Sequence, residues 1–400
     1  MTRARLGAAW VTLTMCVAMC VVRPTHAESD PSSINGTNWM STTNVRHKTL
    51  GDLTLPGTHD SATWYLSERM VPEGRGNDVP DWLDEAVRIA QDVGLPLDQL
   101  VRRWARAHTS DVARQLELGA RYIDLRCAWD AETKAWRVHH ALLGTEVDAV
   151  LEMVKVFVMQ RPSEVVVVEL SHFLGAPSRE NIDRLATSVA DIFGDLIVAY
   201  AGDTRTLYTN KIGDLVDANT RVMVVFADDT AGEPLGFWPS RTLTNTYANS
   251  DDERKMYAFN REVAIAFNED TFDPVALLKL SWTLTPQAHT VAAALNVLAH
   301  NPHSLLELAE WRANPNLSKF AAEAARYHCS LGNIIVVDDI DHSDVLDIIF
   351  DLNQRGLEPK NACSWEDHDD NSFDALLEEE QDRFQYWITN AQAQATLATS

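Results

Sequence analysis

Two histidines, three carboxylates and one arginine stand where apolar runs of this sequence stop. His59 and Asp60 follow the strand-like start of "LTLPGTHDSATW", in which Pro56-Gly57 marks a strand end and a turn. Asp124 and Arg126 lie two apart in "GARYIDLRCAWD", so in an extended chain their side chains share a face. His140 closes "WRVHH" and Asp338 closes "NIIVVD"; His139 and His140, being adjacent, point to opposite faces, so at most one of them meets a site. Each residue alone has an ordinary structural reading, as a satisfied histidine, a surface turn, an ion pair or a helix cap. Together they suit phosphoryl transfer by general acid and base. Histidine titrates near neutrality, so one can be a neutral base while the other is a protonated acid, and an arginine can meet the developing phosphate charge.

The elements that must bring these residues together can be read from apolar periodicity. Strands are predicted at Asp52 to Leu55, Tyr122 to Leu125, Trp136 to His139, Val165 to Leu170, Val222 to Ala227 and Ile334 to Val337, with weaker signals at Val263 to Phe267 and Leu278 to Leu284. Helices such as Val147 to Gln160 and Arg179 to Phe193 separate them, and "VVVVEL" has the continuous apolarity of a strand buried on both faces. Strands alternating with helices imply parallel pairing and a single α/β domain, a distorted TIM-like (β/α)8 barrel over residues 44–353, whose strand ends share one mouth. Residues 67–108 read as an insertion over the first strand's exit, either a lid or a packed helix pair. Residues 354–400 form an acidic tail, best read as a solvated face.

The motifs "LTLPGTHDS", "QLELGARYIDLR", "VHHALLG", "RPSEVVVVELSHF", "SWTLTPQ" and "NIIVVDDIDHSDVLDIIFDLN", in this order, resemble the X-domain of phosphatidylinositol-specific phospholipases C, and the bacterial and stand-alone members more than the multidomain signalling enzymes. The resemblance implies that phosphatidylinositol-type lipids, or glycosylated anchors, are cleaved into diacylglycerol and a cyclic inositol phosphate. It implies that His59 is the general base, oriented by Asp338; that His140 is the general acid, partnered by Asp124; and that Arg126, paired with Asp60, clamps the phosphate. In calcium-dependent relatives an acid-x-acid pair on this strand binds the ion and an asparagine follows the first histidine. Here Arg126 replaces the second acid and Asp60 follows His59, so no metal or other cofactor is expected. Ala141 stands where the family has glycine. A headgroup lysine is replaced in "VVVVELSHF", leaving His172 as a candidate substrate contact, with Asp228 a second; Trp282 is expected to pack in the barrel interior.

Residues 1–27 pair Arg3 and Arg5 with an apolar run and end in Thr25-His26-Ala27, which predicts a cleaved signal peptide and secretion, an uncleaved anchor being the alternative. Its loss deepens the formal charge from −24 to −27. That excludes nucleic acid as a partner and leaves the phospholipid surface to be met through a local patch, for which Trp82 and Trp104 are candidates. The charge says nothing of oligomeric state. Cys127, Cys329 and Cys363 remain, with Cys329–Cys363 the expected bridge. Two other readings stay open: a metal-dependent glycerophosphodiesterase-like barrel, and a secreted protein that binds an inositol or lipid headgroup without turnover.

Overall fold

A computed structural model describes residues 35–43, 45–71, 97–294, 301–355 and 362–365. The predicted signal peptide, the middle of the insertion (72–96, with Trp82) and residues 366–400 of the tail lie outside the described residues. The strands are β1 (Leu55–Thr58), β2 (Leu66–Met70), β3 (Tyr122–Asp130), β4 (Ala135–His140), β5 (Leu142–Glu146), β6 (Val166–Leu174), β7 (Val222–Phe226), β8 (Trp238–Pro239), β9 (Leu243–Thr246), β10 (Leu277–Trp282) and β11 (Ile334–Val337). Eight of them pair in parallel in the order β9-β10-β11-β1-β3-β6-β7-β8. This is a TIM-like barrel left open between β8 and β9, where no ladder forms among the described residues. The opening has a simple cause: only Ser240–Thr242 links the two strands, and parallel neighbours need a crossover of about a dozen residues.

The barrel has the expected strand number but not the expected members. Trp136 to His139 belongs to β4, which pairs antiparallel with β3 through Trp129↔Trp136 and Asp130↔Ala135, because the four residues between them permit a hairpin and no crossover. β4, β5 and β2 continue as an antiparallel excursion from the end of β3. Val263 to Phe267 is not a strand; it lies in the helix Glu253–Asn268, capped by the Asp252 side chain, since a short apolar run fits a buried helix as well as a strand. The first strand begins at Leu55, residues Leu50–Asp52 forming a 3-10 turn. β8 and β9 supply the two missing members. The helices Val147–Gln160 and Arg179–Phe193 match their predicted bounds, the first burying Val147, Val150, Leu151, Val154, Phe157 and Val158 at helical spacing and the second capped by Ser178.

Strand alternation sorts the core into two layers. Leu55, Tyr122, Val167, Met223, Val225, Leu277, Ile334 and Val336 pack together inside the barrel. Ile123, Leu125, Val168, Leu170, Val224, Leu280, Ile335 and Val337 face the helices. Trp282 belongs to the outer layer, against Phe320 at 4.7 Å with its Nε1 donating to the Ala313 carbonyl, and not to the interior as its sequence suggested. Gly57 is needed where it stands: a Cβ would come within 2.7 Å of Val336 and 2.9 Å of Tyr122, so its absence lets the Tyr122 ring cross the barrel floor. In the described part of the insertion, the helix Leu97–Ala105 buries Leu100, Val101, Trp104 and Ala105 in the main core, which makes Trp104 a core residue and not a membrane wedge. Cys329 and Cys363 are bonded, and Cys127 is a buried free thiol.

Candidate active site

The interior face turns polar toward the carboxyl ends of the strands, the end at which barrel sites are built. The deepest polar layer joins three strands: Lys279 Nζ donates to Tyr122 Oη at 3.0 Å and to Glu169 Oε2 at 3.1 Å. Above it on β3 come Asp124 and then Arg126, on one face as their spacing required. His59 and Asp60 follow β1 and Asp338 follows β11, which is the direct neighbour of β1.

The turn after β1 is locked by its own small residues. Ser61 Oγ donates to the Thr58 carbonyl at 2.8 Å and accepts from Asp124 N–H at 2.8 Å, while Ser61 N–H donates to the Asp124 carbonyl at 2.9 Å. Gln115 Nε2 donates to the Ser61 carbonyl at 2.7 Å. The result holds Asp60 at φ 47°, left-handed, with its backbone N–H on Asp124 Oδ2 at 3.2 Å.

His59 Nδ1 lies 2.9 Å from Asp338 Oδ1, and Arg126 Nη2 donates to His59 Nε2 at 3.1 Å. A guanidinium has no acceptor, so Nε2 carries the lone pair and Nδ1 the proton that goes to Asp338. Arg126 Nε is also ion-paired with Asp60 Oδ1 at 2.7 Å. Asp60 Oδ2 stands 3.4 Å from His59 Nε2 and 3.5 Å from His140 Nδ1, placing one carboxylate between the two histidines. The His59 and Arg126 side chains keep 21% and 20% exposure whereas Asp60 and Asp338 keep 0% and 2%, so the imidazole and guanidinium face the mouth and the carboxylates support them.

His140 arrives from the antiparallel excursion. Its Nδ1 donates to the Ala105 carbonyl at 2.7 Å, which leaves Nε2 as the nitrogen able to meet a ligand. The expected His140–Asp124 pairing is absent. The carboxylate beside His140 is Asp60, and Asp124 instead receives the Asp60 backbone N–H, because the left-handed turn swings the Asp60 side chain across to the acid side of the mouth. Ala141 is itself left-handed, at φ 58°, which explains why glycine would suit this corner.

His172 sits at the same rim with φ 54°, its Nδ1 2.7 Å from Ser171 Oγ. Its carbonyl accepts from His139 Nε2 at 3.0 Å; His139 is a supporting residue whose imidazole burial pushes down to about 4. The Asp228 carboxylate, the second candidate substrate contact, is engaged by protein partners. It caps the helix Asp229–Gly232, as a short acidic residue just before a helix commonly does, and accepts from Arg179 Nη1 at 2.9 and 3.1 Å.

Electrostatics follow from this packing. Burial pushes the Asp60 carboxyl up, but Arg126 and then His140, His59 and His172 hold it far below the usual carboxylate range. Burial draws His59 down, yet Asp60 and Asp338 outweigh it and leave the imidazole above its ordinary value. Burial lowers His140, which Asp60 only partly offsets. Asp124 is lowered against the effect of burial, chiefly by Lys279.

Ligand atoms of His59, Asp60 and Asp124 lie within 4.8 Å of one another, a set with the chemistry to hold a cation. Arg126 already contacts two of the three. Sequence reasoning missed Lys279, Glu169, the Ala105 carbonyl and His108, whose Nε2 donates to the His59 carbonyl at 2.8 Å. A lone lysine inside "LLKLSW" and a glutamate inside "VVVVEL" were legible signals; a backbone carbonyl leaves none.

Residues 96–225 match the family profile described as phosphatidylinositol-specific phospholipase C, X domain. PI-PLC X domain-containing protein 3 of Danio rerio is 25% identical over 80% of this chain and 94% of its own length, and the Homo sapiens protein of that name is 24% identical over 79% and 93%. Among solved structures, the phosphatidylinositol-specific phospholipase C of Listeria monocytogenes superimposes with a TM-score of 0.51 at 17% identity, covering 80% of this chain and 98% of that one. The Staphylococcus aureus enzyme gives 0.53 at 17% identity, over 79% and 96%.

Proposed function

We propose, from the premise that this chain is a relative of the phosphatidylinositol-specific phospholipase C X-domain proteins and carries their barrel, that it cleaves phosphatidylinositol-type lipids or glycosylated anchors. The observation that carries the reading is the placement of two differently wired histidines on either side of the Asp60 carboxylate. His59 has its Nδ1 proton on Asp338 and a lone pair on Nε2, the form of a base. His140 has Nδ1 fixed on Ala105 and Nε2 available, the form of an acid once protonated.

His59 Nε2 takes the proton of the inositol 2-hydroxyl as that oxygen forms a bond to phosphorus. The bond from phosphorus to the glycerol oxygen breaks, and His140 Nε2–H protonates that oxygen, releasing diacylglycerol and a cyclic phosphodiester. Arg126 leaves His59 as substrate enters and meets the charge on the non-bridging oxygens, a contribution of several kcal/mol in comparable sites. Water then opens the ring slowly by the same groups in reverse. In this reading Arg126 does the work of a cation and no metal is required. Asp60 keeps Arg126 and His140 in place.

The directions of the two imidazoles run against these roles, with His59 raised and His140 lowered. An anionic phosphodiester between them supplies the missing charge beside His140 and favours its protonated form. Secretion through residues 1–27 belongs to the same proposal, and the Cys329–Cys363 bridge supports it, since such bonds persist in oxidising compartments.

The test is turnover by the purified protein of phosphatidylinositol vesicles in excess chelator, with the water-soluble product followed by phosphorus NMR. A cyclic phosphodiester signal is expected. Turnover only after calcium is added would overturn the role given to Arg126, and headgroup binding without turnover under either condition would favour a binding protein.

A further inference from the structure

We infer that His108 is a positioning residue: with Asp124 it holds the two ends of the peptide bond joining His59 to Asp60, and so sets the angle at which base and neighbouring carboxylate face the substrate. The inference rests on the reading of His59 as the base. One end of that peptide, the His59 carbonyl, accepts from His108 Nε2 at 2.8 Å. The other end, the Asp60 N–H, donates to Asp124 Oδ2 at 3.2 Å. Residues on both sides of the bond carry the site, so a rotation of this one plane would displace His59 from Asp338 and Asp60 from Arg126 and His140 together.

The peptide needs such a restraint. Asp60 has φ 47°, a left-handed conformation that non-glycine residues adopt at a steric cost. Strain of this kind persists only where neighbours over-determine it. His108 is itself fixed: it is fully buried, Ala107 N–H donates to Thr63 Oγ1 at 3.0 Å, Asp339 N–H donates to the Ala107 carbonyl at 2.8 Å, and Thr109 N–H donates to Asp339 Oδ1 at 3.3 Å. Its other ring nitrogen, Nδ1, is buried with no partner among the described residues. That is the place for a lone pair and not for a proton, which selects the neutral Nε2–H tautomer, the one that donates to His59. Burial also pushes the His108 imidazole down, in keeping with a neutral ring.

The same short segment reaches the acid, because the Ala105 carbonyl holds His140 Nδ1 at 2.7 Å. Both histidines therefore take their orientation from residues 105–108, the end of the insertion. This gives the insertion a function in the site that does not depend on any motion as a lid.

The test uses the full chain with nitrogen-15 histidine and two variants, His108→Phe, which keeps the ring and removes the donor, and His108→Gln, which restores a donor. In the parent, the His59 imidazole shows one tautomer with the proton on Nδ1. In His108→Phe the His59 signals move toward tautomer averaging and kcat on phosphatidylinositol vesicles falls about a hundredfold with KM little changed, the scale expected for a displacement near 1 Å; His108→Gln recovers most of both. An unchanged His59 spectrum in His108→Phe, or equal losses in the two variants, would overturn the inference. If His108→Phe does not fold, Asp124→Ala removes the acceptor that forms the other jaw and must produce the same averaging at His59, and its failure to do so would also overturn the inference. Should the parent show no turnover, the proposed activity fails alone, while the His59 spectra still decide the clamp.

Discussion

Arg126 and His59 share a hydrogen bond of 3.1 Å from guanidinium Nη2 to imidazole Nε2, and the same guanidinium lies 2.7 Å from Asp60. One cation thus contacts both the imidazole and its neighbouring carboxylate, stands among the atoms a metal would use and, in the proposed reaction, seats the phosphate. Lysine cannot reproduce this geometry, because an ammonium offers a single point charge where the fork makes two directed contacts. Arg126→Lys should lower kcat by about 10²–10³-fold, the cost of losing a fixed donor at an oxyanion. Steady-state kinetics on vesicles in chelator measures it, and a loss of less than threefold would remove Arg126 from the reaction.

The pH profile should report the inverted pair. His59, held above its ordinary value, must lose its proton, and His140, held below, must gain one. The form with both groups correct is then the minor one, and kcat/KM follows a bell whose acid limb belongs to His140 and alkaline limb to His59. Asp60 raises both imidazoles, so Asp60→Asn should carry both limbs toward lower pH as well as slowing the reaction. Limbs that stay in place in that variant would mean that Asp60 does not set these titrations.

Asp338→Asn tests the base separately. The amide can donate to His59 Nδ1 and so stabilises the tautomer with the proton on Nε2, which cannot accept from the substrate. A fall in kcat of roughly 10³–10⁴-fold with intact thermal unfolding is expected by analogy with triad aspartates. Retention of more than a tenth of the activity would show that His59 finds its tautomer without Asp338.

What the sequence displayed of this architecture depended on whether a position's signal was local. Ile334–Val337 and Val147–Gln160 were legible because double-sided burial and helical spacing leave their patterns in consecutive residues. β8 and β9 were not, being two and four residues long with "WP" and "LTNT" as their text. His59, Asp124, Arg126 and Asp338 sit on or just after barrel strands, and the barrel brings them to one mouth. The partner of His140 was hidden because it depends on a left-handed residue at Asp60 and on a hairpin that carries β4 away from the barrel wall, and neither backbone event is written in side-chain type. His108 was hidden for the same reason: its contact is with a carbonyl.

The opposite end of the barrel carries the stability prediction. Arg121 and Glu164 are both completely buried, joined by contacts of 2.7 and 3.0 Å. The remaining Arg121 donors serve the carbonyls of Leu116, Ala120, Gly36 and Thr37, while Glu164 accepts from the backbone of Met40 and Ser41. The pair therefore fastens residues 36–41 across the barrel base, and its value lies in having every donor used. Arg121→Met leaves a buried carboxylate without its cation and should cost about 3–5 kcal/mol in urea unfolding, read from the midpoint at constant slope. Adding Glu164→Gln removes the stranded charge and should recover part of that loss. If the single variant lost less than about 1 kcal/mol, as exposed pairs do, Glu164 would be finding water and the base of the barrel would be open to solvent.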